Sequence, residues 1–151
     1  MEFPDIRSLI PHTGPMVLLD QVISVDEDSL CGEVGIRRSS LFCDSDGVGA
    51  WVGIEYIAQA IAAYAGYTAR LRGEPVKIGL LLGIRRYECS RPVFKPGAIL
   101  RVNVQRVFQS ESGLGVFDCR IDDEAGGNLA TATVTVFQPG DLKRVLDGSS
   151  Q

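Results

Sequence analysis

The run AWVGIEYIAQAIAAYAGYTARLR, residues 50–72, decides how the rest of the chain has to be arranged. Ile54, Ile57, Ala58, Ile61, Ala62 and Ala65 recur at the i, i+3, i+4, i+7 spacing of a helix. The opposite side offers Ala, Tyr and Gly in place of charge, and a helix that is apolar all round has to be covered all round. From Gly47 to Ala69 the one formal charge is Glu55. The length would suffice to span a bilayer. A carboxylate in the middle of the segment is expensive in lipid, so the reading is a buried helix and no membrane span. Arg70, Arg72 and Gly73 supply a C-terminal stop.

Working outward, the chain before this helix predicts a short helix after Pro4 that ends before Pro11, since proline suits a first helical position. The loop Pro11-His12-Thr13-Gly14-Pro15 is dense in breakers. Met16 to Asp26 reads as a strand, Asp26 to Ser29 as a turn, and Leu30 to Ile36 as the hairpin partner. Residues 37–49 read as irregular, with a turn at Asp44-Ser45-Asp46-Gly47. Beyond the helix, Ile78–Glu88, Ile99–Gln109, Gly113–Asp122 and Asn128–Gln138 are rich in Val, Ile, Thr, Leu and Phe. Short connections at Pro96-Gly97, Glu111-Ser112 and Ala125-Gly126-Gly127 favour antiparallel neighbours. The order is two strands, a long buried helix, then four strands. One antiparallel sheet wrapped around a single central helix satisfies it: an α+β hot-dog fold. Such a sheet covers one side of the helix. Joining two sheets edge to edge would cover more of it and remove an exposed strand edge, so the expectation is at least a dimer.

The bulk figures agree with one domain, expected over residues 1–146, followed by a polar tail at 147–151. The chain has 151 residues, 45% hydrophobic and 23% charged, with a net charge of −4. That acidity argues against a nucleic-acid partner. Cys31, Cys43, Cys89 and Cys119 are scattered, without a CxxC pair or a histidine cluster. No metal and no cofactor is expected, and the cysteines read as free thiols of a cytoplasmic protein. The start, Met1-Glu2-Phe3-Pro4-Asp5, lacks the pattern of a secretion signal.

Three segments carry a resemblance. Leu9-Ile10-Pro11-His12-Thr13-Gly14-Pro15-Met16-Val17-Leu18-Leu19-Asp20-Gln21-Val22 is similar to the LPHRxPFLLVDRV entry of the FabZ-type 3-hydroxyacyl-acyl-carrier-protein dehydratases. Ile54-Glu55-Tyr56-Ile57-Ala58-Gln59-Ala60 resembles that family's LEAMAQ helix. Gly83-Ile84, Arg91-Pro92-Val93 and Pro96-Gly97 resemble its GI…KRPVxPGD segment. Within that family the chain looks most like the divergent ApeP-like subgroup of aryl-polyene clusters. The resemblance implies dehydration of 3-hydroxyacyl thioesters on an acyl carrier protein, with another hot-dog subunit, identical or not, as partner. One departure stands out. The family places a catalytic histidine in a loop just before the helix. Here that region is Phe42-Cys43-Asp44-Ser45-Asp46-Gly47-Val48-Gly49, and the sole histidine of the chain is His12.

Dehydrating a 3-hydroxyacyl thioester needs a base at C2, an acid for the hydroxyl on C3, and a donor to the thioester carbonyl. Glu55 is the candidate acid, since burial without a cation in its own stretch favours the protonated form. A purely structural carboxylate bonded to a neighbouring strand is the alternative. Gln59, one turn on, is placed to hold Glu55 or to contact substrate. His12 has the imidazole range for a proton shuttle, or makes one loop hydrogen bond. Asp44 and Asp46 are second choices for that role and otherwise turn formers. Cys43 lacks a local activating histidine and reads as a small hydrophobe. The resemblance implies that the Ala50 amide grips the thioester oxygen at the helix start. Trp51, Tyr56 and Phe42 would line a tunnel suited to flat chains. Arg85, Arg86, Arg91 and Lys95 offer a candidate docking patch for an acidic carrier protein, although Arg85 and Arg86 point to opposite faces of a strand, so at most one of them joins it, and a solvated surface is the more common explanation of such charges. Two other readings remain open: a hot-dog thioesterase using the same carboxylate, and a non-catalytic subunit supporting an active dehydratase.

Overall fold

The computed structural model describes residues 3–11, 14–74 and 80–137. His12 and the polar tail at 147–151 lie outside the described residues. In chain order the regular elements are β1 (Gln21–Val25), β2 (Ser29–Gly35), β3 (Val48–Gly49), α1 (Gly53–Leu71), β4 (Leu80–Cys89), β5 (Val93–Phe94), β6 (Ile99–Gln109), β7 (Leu114–Asp123) and β8 (Asn128–Phe137). Single 3-10 turns occupy Ile6–Ser8, Gly14–Met16 and Ala50–Val52, the last running straight into α1.

Six strands form one antiparallel sheet in the order β1-β2-β6-β7-β8-β4, and β3 and β5 make a separate two-stranded ladder. The sheet curls around α1, which packs on β2, β6 and β7. Alternation dictates which residues face it. Leu30 and Val34, then Leu100, Val102 and Val104, then Phe117, Cys119 and Ile121, then Ala130, Ala132, Val134 and Val136 are buried in the core. Their neighbours in sequence, among them Glu33, Arg101, Asn103, Arg120 and Asp122, form a polar outer face tied by the Arg101–Glu33 and Arg120–Asp122 ion pairs. Burying each large aliphatic of the inner face is worth about 1.5–3 kcal/mol, whereas the ion pairs of the outer face are partly buried, and what their attraction gains is largely offset by the cost of desolvating the charges. The inner face therefore holds the architecture. No helix of the described residues is long and apolar enough to cross a membrane.

Two features of α1 differ from the expected stripe. The deepest burial includes Tyr56, Ala60, Ala63 and Tyr64, on the side taken as the opposite face, together with Ile57 and Ile61. Ile54, Ala58, Ala62 and Ala65 are only half-buried. The small residues are inside because the curled sheet approaches most closely there, and two tyrosines fill the space at the ends. The Tyr64 hydroxyl donates to the Glu27 carbonyl at 2.6 Å and its ring stands edge-on to Phe117. This pins the helix to the β1–β2 turn.

The strand expected from Met16 begins only at Gln21. Met16 closes a 3-10 turn, and the Leu18 and Leu19 amides bond a helix side chain instead of a neighbouring strand. The opening segment lies directly on α1. A methyl group added at Gly66 would overlap the Leu9 carbonyl oxygen. Alanine normally improves a helix interior over glycine by about 1 kcal/mol. Here overpacking reverses the sign. Gly66→Ala is expected to destabilise the chain by about 2 kcal/mol, towards the middle of the usual overpacking range, as read by a lower midpoint in urea unfolding at unchanged slope.

Candidate active site

Gln59 is the most constrained polar side chain of the structure: it is fully buried, with 0% exposure. Its Nε2 donates to the Met16 carbonyl at 2.7 Å and to Glu55 Oε1 at 3.2 Å. Its Oε1 accepts from the Leu18 amide at 2.8 Å and the Leu19 amide at 3.4 Å. A primary amide has two N–H donors and two acceptor lone pairs, and all four are in use. These bonds agree both with Gln59 holding Glu55 and with a polar group satisfied in a tight interior. It has no hydrogen-bonding capacity left for a substrate.

Glu55 lies in the first turn of α1, where the helix dipole favours negative charge. It is half-buried, less enclosed than its apolar surroundings in sequence suggest. The Gln59 bond fixes one carboxyl oxygen. Around this end of the helix stand three partly exposed large side chains: Met16 at 44%, Phe42 at 45% and Trp51 at 64%. Phe42 and Trp51 meet edge to face, with centroids 5.4 Å apart. Phe42 holds a left-handed backbone conformation, φ 68°, uncommon for a bulky residue. Tyr56 does not join them. It is buried against Phe94 in the core, so the aromatic surface beside Glu55 is the Phe42–Trp51 pair.

The helix start is held on both sides. The Ala50 amide donates to the Pro92 carbonyl at 2.9 Å, continuing the β3–β5 ladder. The donor role expected of it towards a thioester would require breaking that bond. The Ala50 carbonyl accepts from the Tyr87 hydroxyl at 2.5 Å. Burial pushes the Tyr87 and Tyr56 hydroxyls above the ordinary phenol range, so Tyr87 stays protonated and donates. Tyr87 was not singled out in the sequence. Its only sign there is an aromatic residue interrupting the charged run Arg85-Arg86-Tyr87-Glu88.

Leu9 and Met16, on either side of the loop that contains His12, both lie against α1: Leu9 at Gly66 and Met16 at Gln59. Glu55, Gln59 and Gly66 are spaced by four and seven residues and share one face. Asp44 is a turn former, its carboxylate accepting from the Asp46 and Gly47 amides. Cys43, like the other three cysteines, is a free thiol. Arg91 and Lys95 line a groove at the end of the sheet with Asp123 and Glu124, whereas Arg86 faces the outer polar groove with Glu88 and Arg120. The four basic residues thus do not share one surface.

A helix-borne carboxylate held by a saturated glutamine, one turn from the chain's opening segment, is accompanied by a family match. The model of the ApeP dehydratase family matches residues 4–147. The chain belongs to the ApeP-like dehydratases. A chain of the dehydratase heterocomplex ApeI:P from Xenorhabdus doucetiae is 32% identical, with 96% of this chain and 99% of that one aligned and a TM-score of 0.86. The ApeP-like fold is shared more widely. A hypothetical thioesterase with coenzyme A from Streptococcus pneumoniae aligns over 78% of this chain and 84% of its own at TM-score 0.63 and 15% identity. The zebra fish thioesterase superfamily member 2 aligns over 88% and 91% at TM-score 0.67 and 12% identity. At those identities the likeness is one of fold. None of the curated proteins matches.

Gln59→Leu keeps roughly the volume but takes the partner from the half-buried Leu18 amide and from the Met16 carbonyl. It is expected to destabilise by about 2 kcal/mol, the cost of two such orphaned groups at the lower end of the range. Thermal unfolding should show the loss, and accelerated amide exchange should localise it to residues 16–19.

Proposed function

We propose that this ApeP-like dehydratase removes water from 3-hydroxyacyl thioesters carried on an acyl carrier protein, giving the trans-2-enoyl product, and that it works paired with a second hot-dog subunit. The observation that carries the reading is the Glu55–Gln59 arrangement: a carboxyl group at a helix start, positioned by a glutamine that has no other free contacts to make. In the reaction, the C2 proton leaves to a base and the C3–O bond breaks as the hydroxyl takes a proton from Glu55. The electron pair left at C2 becomes the new double bond, and water departs. His12 is proposed as the base. The residues flanking its loop both seat on the helix face that bears Glu55. Proton exchange with water resets both groups. The exposed Phe42–Trp51 pair is proposed as the acyl-chain contact, its flat faces suited to conjugated chains.

Pairing is supported by two features. The line of Ile54, Ala58, Ala62 and Ala65 is only half-buried among the described residues. Strand β4 ends the six-stranded sheet with one side unpaired among the described strands. The relative from Xenorhabdus doucetiae was solved as a heterocomplex, which favours a non-identical partner here. The loop before the helix holds no histidine, and this specific absence favours a second reading, in which the chain supports a partner that does the chemistry.

Mass spectrometry of 3-hydroxyacyl carrier protein, incubated with the chain alone and with its complex, separates these readings. Loss of water that falls at least about a hundredfold in Glu55→Gln, the usual worth of a general acid or base, supports catalysis by this chain. A comparable fall in His12→Ala assigns the base. Water loss unchanged in Glu55→Gln within the complex assigns the chemistry to the partner, and release of free acid would indicate a thioesterase.

A further inference from the structure

Strand β4 is interrupted where it passes the helix start. Against β8, Arg85 pairs with Thr133 and Glu88 with Thr131, so the stretch from 85 to 88 on β4 has one residue more than its partner. Arg86 within it has φ 54°, a left-handed conformation that costs a non-glycine residue roughly 1 kcal/mol. A β-bulge of this kind re-aims the side chain beside it. The side chain concerned is Tyr87, which turns in to pack on the core and reaches the Ala50 carbonyl. Gly53 makes room for it, since a methyl there would overlap the Tyr87 hydroxyl oxygen. The tyrosine lies over the first turn of α1, two residues before Glu55.

We infer that Tyr87 is a positioning residue for Glu55: the bulge in β4 delivers its hydroxyl to Ala50, and that bond fixes the turn from which the carboxylate projects. The inference rests on the proposed dehydratase reading and adds to it a link between the sheet edge and the reacting group. Three features meet at this contact: the strained Arg86, the missing side chain at Gly53, and the Ala50–Pro92 bond that clamps the other side of the same residue. The bulge and Gly53 bring the ring in, and the hydroxyl bond to the doubly held Ala50 is what a tyrosine serving only to fill the core would not need. Because β4 is also an edge of the sheet among the described strands, a strand added there by a partner would hold the bulge, and through Tyr87 the helix start, in place.

Tyr87→Phe tests this, since it removes the hydroxyl and keeps the ring. Hydrogen exchange of the full-length chain needs no activity. Amides of residues 51–55 should exchange about tenfold faster, the worth of one hydrogen bond, with the rest of α1 unchanged. In the complex, kcat should fall about tenfold or more while KM stays within about twofold, as expected when a reacting group is misplaced. Gly53→Ala, which displaces the same ring, should reproduce both effects. Unchanged exchange at 51–55 overturns the inference. So does exchange raised evenly along α1 with kcat intact, which would make Tyr87 a stabilising residue only. If the wild-type complex releases no water, the dehydratase reading falls, while the exchange result still decides whether Tyr87 orders the helix start.

Discussion

A single buried amide group organises the structure around α1. Gln59 sits where the helix, the opening segment and the candidate carboxylate meet, and it satisfies all of them at once. A buried polar group is tolerable only when its hydrogen bonds are made. Here that requirement works in both directions. The Leu18 and Leu19 amides could have continued a strand, and instead they turn to the helix because Gln59 accepts from them. The remaining N–H of the amide then has one place left to go, the carboxyl oxygen of Glu55. Fold and site are specified by the same side chain.

The remainder of the helix start follows a similar economy of groups. Ala50 contributes only its backbone, its amide bonded to Pro92 and its carbonyl to Tyr87. The glycine at position 53 lets a tyrosine lie against the helix, and the glycine at 66 lets the opening segment lie against it. Small residues on α1 thus serve two purposes. Ala60 and Ala63 let the curled sheet come close, and Gly53 and Gly66 let other backbone and ring atoms come closer still. The large side chains Phe42, Trp51 and Met16 are left exposed around the start of α1.

Much of this is legible in the sequence. The helix followed from its period and from the lack of charge, and β6 runs from Ile99 to Gln109 as its composition indicates, with Leu100, Val102 and Val104 alternating with Arg101, Asn103 and Gln105. Glu55 and Gln59 stood out because polar groups are rare in such a segment. What could not be read arises from contacts between distant residues. The β1 start was placed too early because the Leu18 and Leu19 bonds to Gln59 span about forty residues in sequence. The β3–β5 ladder is too short to show any alternation. The commitment of the Ala50 amide depends on that ladder, and the inward turn of Tyr87 depends on a bulge that breaks the period on which strand reading relies. Tyr56 and Trp51, five residues apart and both aromatic, look equivalent in sequence, yet one is in the core and the other is largely exposed, because five residues around a helix separate inside from outside.

The interrupted edge of β4 also bears on which chains this one can join. A flat edge accepts almost any extended strand, since backbone groups recur at every second residue. An edge with an extra residue between Arg85 and Glu88, and a second irregularity between Leu81 and Gly83, offers regular pairing only in short stretches between and beyond these breaks. A strand laid across it must carry a matching irregularity or stop short. The edge therefore works as a keyed joint: it resists indiscriminate strand addition while the chain is alone, and it admits a partner whose own edge is cut to fit.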